Sequence, residues 1–309
     1  MRKLMGVTIR FWKKLKNDLI FCGIFSAVWI LRHMNRRHSI FLMRNAGRVI
    51  WHLALNERKK SILHLRQAFG KTHSQKEVVA LSKAVFDNLS ICLADAVRLP
   101  NLVREGLDNY VDVKGLHHLT DEVAKGRGVM IQTGHYGNWE LLGTWLVQKG
   151  IPLRVLAKRT YDPRLDRMIV GYRNSAGYYS TARGNASGAI LKGLKKGYVY
   201  GMLFDVDTKV KGVFVDFFGK PAHTAVIPAM LAAEYDVPVV PVFIRLNADL
   251  TYTITCHKAI KLKKSDDPGS DALANTQSFT LVYEAVIRED PKQWIWMHAR
   301  WKKQPTGVA

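Results

Sequence analysis

The segment GHYGNWE, residues 134–140, contains the residues of this chain whose types and spacing most directly suggest proton-transfer chemistry: His135, with Glu140 five positions later. In a continuous α-helix a spacing of five turns two side chains about 140° apart, so this pair meets only across a turn. Gly134 and Gly137 make such a turn accessible and let backbone and substrate approach closely. Across it, Glu140 can hold one imidazole nitrogen while the other accepts a proton, the arrangement of a general base and its orienting partner. A histidine that caps a helix, with a glutamate facing water, has the same spacing, and the pair alone does not separate the two.

Further segments concentrate polar groups. In KRTYDPRLDRMIVGYRNSAG, Arg159, Arg164, Arg167 and Arg173 crowd a short span. Their planar forks suit a phosphate clamp, and equally a solvated basic face. In FDVDTKVKGVFVDFFGKPAHT, Asp205 and Asp207 share a face if the strand before them continues, which admits either a Mg²⁺ site or turn-capping carboxylates. The closing PKQWIWMHARWKKQP alternates Trp294, Trp296, His298 and Arg300 with Ile295, Met297 and Ala299, as a strand with one aromatic-polar face would. Packing alone also accounts for the tryptophans.

The elements that must position these residues follow from hydrophobic period. VMIQT reads as a strand and ELLGTWLVQ as the start of a helix, so GHYGNW is the turn at a strand's carboxyl end, where α/β enzymes place their chemistry. Beyond residue 105, short apolar runs bounded by glycine (GVMIQTG, GYVYGMLFD, GVFVDFFG, VPVVPVFIRL) alternate with helical stretches, which predicts an α/β fold with a central mixed sheet flanked by helices. Residues 40–100 read as helices: Ile62, Leu65 and Phe69 recur at helical spacing before Gly70, Ser74 and Glu77 have capping-box spacing, and Pro100 closes the run. The expected organisation is a helical region over 1–105 with a basic, apolar membrane anchor, and a catalytic region over 106–309 continuous with it.

Composition bounds the partners. The chain has 309 residues, 48% of them apolar, and carries a formal charge of +22. Such a charge favours an anionic partner: nucleic acid, an acidic protein or an anionic membrane. Residues 1–70 hold 15 Lys and Arg against only Asp18 and Glu57. No helix-turn-helix, zinc-finger or RNP-like signature accompanies the charge, so nucleic acid is not the expected partner. Cys22, Cys92 and Cys256 have no metal-ligand spacing and suggest a reducing compartment. The apolar run Leu19–Leu31 would span roughly 20 Å as a helix, short of the roughly 30 Å bilayer core. No small-residue cleavage site follows it, and basic residues flank both ends, so an in-plane or half-buried anchor is as consistent as a spanning one, and a buried core helix has the same pattern.

In this order and spacing, HYGNWE, the downstream arginines, FVDFFGKPAHT with its preceding DVD, VPVVPVFIR and QWIWMHARWK resemble the late acyltransferases of lipid A biosynthesis, the lauroyl/myristoyl family within the lysophospholipid acyltransferase group. The resemblance runs over most of the chain. It departs in two places: Val206 stands where Asp-Gln-Asp is common, and the N-terminal apolar helix is less full. The resemblance implies transfer of an acyl chain from a thioester, acyl carrier protein or coenzyme A, to a hydroxyl of a lipid A precursor, with another glycolipid or glycerophospholipid acceptor, or a non-catalytic membrane-binding relative, as the alternatives. It implies His135 as base and Glu140 as its partner, without a covalent intermediate, cofactor or metal. It places substrate contacts at Arg159, Arg173, Asp205, Asp207, Phe218, Gly219 and Thr224. A monomer at the cytoplasmic face of a bacterial inner membrane is the expected setting.

Overall fold

The computed structural model describes residues 2–157, 160, 162–182, 186–207 and 210–305. Five helices fill the N-terminal third: α1 (Arg2–His33), α2 (Arg36–Leu53), α3 (Leu55–Phe69), α4 (Gln75–Val97) and α5 (Leu99–Glu105). The start of α4 is fixed as its sequence predicts. Ser74 Oγ accepts from the Glu77 amide, and the Glu77 carboxylate accepts in return from the Ser74 amide at 2.7 Å. Buried Arg98 satisfies the last turn of α1 by donating to the carbonyls of Leu31 (2.7 Å) and Met34. Leu65 and Phe69 are buried, as the α3 pattern predicts.

Strands and helices then alternate: β1 (Val111–Lys114), α6 (His117–Ala124), β2 (Val129–Thr133), α7 (Trp139–Gln148), β3 (Leu153–Ala157), α8 (Pro163–Ala176), β4 (Tyr179–Ala182), α9 (Ala186–Leu194) and β5 (Val199–Leu203). After them come β6 (Gly212–Phe217), β7 (Lys220–Ala225), α10 (Ile227–Glu234), β8 (Val239–Leu246), β9 (Tyr252–Cys256) and α11 (Pro268–Glu289). Seven strands form one sheet in the order β1-β9-β8-β2-β5-β3-β4. Only the β8–β9 pair is antiparallel, so the sheet is mixed. Its central strands are apolar on both sides because both faces are covered. Ile131, Leu153, Val199 and Val242 pack with Leu141, Leu142 and Trp145 of α7 on one face. Met130, Met202, Val239 and Phe243 pack with Phe279 and Tyr283 of α11 on the other.

Two local expectations are corrected. GVFVDFFG does form a strand, β6, but it pairs with β7 in a separate antiparallel hairpin and lies outside the central sheet. The tryptophan-rich tail is not a strand. A 3-10 turn at Pro291–Gln293 leads into irregular backbone, because Trp294, Trp296 and Arg300 are each buried through a different contact rather than on one pleated face. Among the described residues no helix is long and apolar enough to cross a membrane.

Candidate active site

His135 sits in the turn between β2 and α7. The turn's geometry depends on glycine: Gly137 has φ +59°, and a β-carbon there would lie 1.8 Å from the Ile244 carbonyl oxygen. The tail clamps it from outside, with the Gly137 amide donating to Gln293 O at 3.0 Å and the Ile295 amide to His135 O at 3.2 Å. The helix-cap alternative for His135 does not hold, since Asn138 is the N-cap of α7 and accepts from the Leu141 amide. Asn138 also donates to Cys92 O (3.0 Å) and to the Tyr252 hydroxyl (3.4 Å), which in turn donates to Asp95 (2.8 Å). Asp95 is fully buried and takes both prongs of Arg36, at 2.9 and 2.8 Å. A continuous polar chain thus joins the start of α2 to the start of α7.

The residue that orients His135 is Asp205. Neighbouring parallel strands β2 and β5 are in register at Thr133 and Leu203, so the residues two positions beyond each strand end side by side. His135 Nδ1 lies 2.9 Å from Asp205 Oδ1, and the His135 amide donates to Oδ2 at 2.7 Å. Trp294 Nε1 donates to the same Oδ2 at 2.7 Å. Burial acts to raise the Asp205 carboxyl, but the facing His135 ring and the bonds from His135 and Trp294 outweigh it and hold it down at about 2. An ionised acceptor fixes the proton on Nδ1, leaving Nε2 as the nitrogen with basic character.

The orienting bond expected from Glu140 is therefore made by Asp205. Glu140 points from the first turn of α7 toward α8, where it holds the Arg173 fork: Nε donates to Oε2 at 3.0 Å and the second prong to Oε1. The Tyr178 hydroxyl donates to Oε2 at 2.9 Å, and Arg173 also reaches Ser180 Oγ at 3.1 Å. Burial acts to lower the Arg173 guanidinium, yet its bonds to Glu140 raise it overall, while Tyr178 is pushed up by burial and the same carboxylate.

His135, Glu140, Arg173 and Ser180 line a cavity of about 1320 Å³ between the sheet, α7 and α8. Asp207 and His298 also line it, and apolar Ile131, Leu142, Leu146, Leu153 and Val155 are among its walls. The His298 ring centre is 5.2 Å from that of His135, and burial together with that neighbour pushes its imidazole below the ordinary value. Asp207 pairs with His223 Nδ1 at 2.9 Å and Lys303 at 3.2 Å.

The remaining expected contacts separate. Arg159 lies outside the described residues. Phe218 and Gly219, both at positive φ (56° and 73°), form the two-residue β6–β7 turn; Phe218 packs on Phe69 and Trp296, and Gly219 accommodates a backbone that requires glycine-like freedom. Thr224 is buried and accepts from Arg300, whose guanidinium burial pushes down to about 10. None of the three lines the cavity; they carry the hairpin on which the tail rests. Among the described residues no cluster of three His, Cys, Asp or Glu could hold a metal ion, so the Mg²⁺ alternative at Asp205 and Asp207 gains no ligand set.

Comparison with known proteins identifies the family. Residues 11–303 match the family described as bacterial lipid A biosynthesis acyltransferase. A phosphatidylinositol mannoside acyltransferase of Mycolicibacterium smegmatis is 28% identical over 211 residues, 67% of each chain. Its counterpart in Mycobacterium tuberculosis is 27% identical over 213 residues, 67% of this chain and 66% of that one. A lipid A biosynthesis acyltransferase of Haemophilus influenzae is 25% identical over 292 residues, 93% of this chain and 89% of the relative. With the family match covering nearly the whole chain, including the His135 turn, Asp205 and the closing tail, this protein is an acyl-transferring enzyme and belongs to the bacterial lipid A biosynthesis acyltransferase family.

Proposed function

We propose that the enzyme moves a fatty acyl chain from an acyl carrier protein thioester to a hydroxyl of a lipid A precursor, with His135 as general base. The observation that carries this reading is the Asp205-held imidazole on the wall of a large cavity lined by many apolar side chains. Nε2 takes the hydroxyl proton as the oxygen attacks the thioester carbonyl, and Asp205 stabilises the imidazolium that forms. A base of this kind contributes typically 10²–10⁴-fold. As the tetrahedral intermediate collapses, the C–S bond breaks and the imidazolium returns the proton to the leaving thiolate. Glu140 acts through Arg173, fixing the wall on which the substrate's anionic part bears. The +22 charge suits an acidic carrier protein and an anionic lipid.

Attachment to the cytoplasmic face of an inner membrane is proposed on two helix faces. Leu19, Phe25 and Trp29 of α1 and Phe41, Val49 and Leu53 of α2 are each more than half exposed, and Arg37, Arg44 and Arg48 lie exposed among the α2 residues. Apolar side chains beside basic ones are the pattern of in-plane binding to anionic lipid.

The mycobacterial relatives favour a second reading of the acceptor, a sugar hydroxyl on another phosphoglycolipid. Mass spectrometry of membrane lipids from cells with and without the gene decides between them: loss of one acyl group from lipid A supports the first, loss from a different glycolipid the second. An unchanged lipid profile refutes both.

A further inference from the structure

We propose that Gly201 sets how far the donor's acyl chain enters the cavity and so selects its length; this rests on the cavity being the thioester's acyl site. On β2, β5 and β3 the alternate residues Ile131 and Thr133, Gly201 and Leu203, and Leu153, Val155 and Ala157 all line the cavity, so one sheet face forms most of its floor, with Leu156 joining from the other side of β3. The strand register places Gly201 directly between Ile131 and Val155, in the middle of that floor. Its neighbours on both sides carry branched side chains, and it carries none.

Neither backbone nor packing demands glycine there. Gly201 is not among the positive-φ glycines. A β-carbon would meet Leu153 and Val155 at 3.4 Å, ordinary contact. Glycine within a strand weakens it and often marks a place where a ligand approaches closely. The missing side chain leaves room past the Gly201 row toward Leu153, which lines the same cavity together with Leu146 of α7. From the Leu203 row to the Leu153 row is four strand residues, about 13 Å. An extended alkyl chain advances about 1.3 Å per carbon, taking a C–C bond near 1.5 Å, so that depth takes about ten carbons. Each two-residue row takes about five.

The test compares wild type, Gly201→Leu and Leu153→Ala with octanoyl, decanoyl, dodecanoyl, tetradecanoyl and hexadecanoyl acyl carrier protein, measuring carrier-thiol release in the presence of a lipid A precursor. A buried methylene is worth about fourfold in binding. Gly201→Leu is expected to close off the row beyond it and move the optimum down by about five carbons, and, at about fourfold for each of four methylenes, to cut the tetradecanoyl-to-decanoyl ratio of kcat/KM about 250-fold, with the shortest donors still used. Leu153→Ala is expected to move the optimum the other way. Unchanged length profiles in both variants overturn the proposal, as does a loss in Gly201→Leu that is equal at every length while Leu153→Ala stays as wild type. Wild-type protein that releases thiol from no donor instead overturns the underlying assignment of the site.

Discussion

Replacing Asp205 with asparagine tests the reaction centre directly. The carboxylate makes three bonds as acceptor only: Oδ2 takes the His135 amide and Trp294 Nε1, and Oδ1 faces His135 Nδ1. An asparagine has one acceptor oxygen and one NH₂ donor. Two backbone-fixed or buried N–H groups converge at the Oδ2 position, so the amide oxygen goes there and the NH₂ faces Nδ1. That nitrogen must then offer its lone pair, which moves the ring proton to Nε2 and removes the base. In a serine-protease triad the equivalent change costs about 10⁴ in kcat through the wrong tautomer; here kcat should fall by about 10³ or more. The lost charge-assisted bond costs about 1.5–3 kcal/mol of stability. Single-turnover transfer from acyl carrier protein and a thermal melt measure the two effects. His135→Ala sets the floor: Asp205→Asn should approach it, while Glu140→Gln should retain more activity. A folded Asp205→Asn enzyme with kcat within tenfold of wild type would refute this assignment of the base. The same carboxylate shapes acid stability. Its folded value of about 2 lies below the ordinary 3.8, so its contribution is full above about pH 4 and is lost as pH falls toward 2, a limb the asparagine variant should lack.

Arg173→Lys keeps the charge but not the two-pronged grip on Glu140, so it should cost about 1.5–3 kcal/mol and at least tenfold in kcat/KM, whereas exposed Lys192→Ala should be near silent in the same steady-state assay. Removing residues 1–28 spares Leu31 and the carbonyls held by Arg98 while deleting Leu19 and Phe25 and leaving only Trp29 of the exposed α1 trio, and should weaken sedimentation with anionic vesicles without unfolding the enzyme; undiminished vesicle binding would place the contact on Trp29, α2 or elsewhere.

Much of this architecture is written in local sequence. VMIQT and ELLGTWLVQ name the strand and helix flanking His135, because a buried parallel strand and a capped apolar helix each announce themselves within ten residues. Asp205 is different. Its bond to His135 exists because β2 and β5 are neighbours in the sheet, and strand order is a property of how distant segments pack, 70 residues apart here. Spacing alone favoured Glu140, five positions away, yet the turn that brings the strand end to the helix also swings the first turn of α7 toward α8. The tail misleads for a related reason: its alternation is real, but each large side chain fills a separate hole, so burial rather than a pleat produces the period. Phe218, Gly219 and Thr224 belong to a compositionally unusual block whose demands are those of a tight hairpin and a buried arginine.

The chain of bonds from Arg36 through Asp95 and Tyr252 to Asn138 acts as a strut of fixed length. Removing one partner of its buried ion pair costs roughly 3–5 kcal/mol, so the bonded geometry strongly favours this one spacing. If α2 rests on the lipid surface, the imidazole stands at a constant height above it. Only hydroxyls presented at that height come within reach, and the enzyme would discriminate among acceptors by how far each headgroup projects from the bilayer, before any contact with the sugar itself is made.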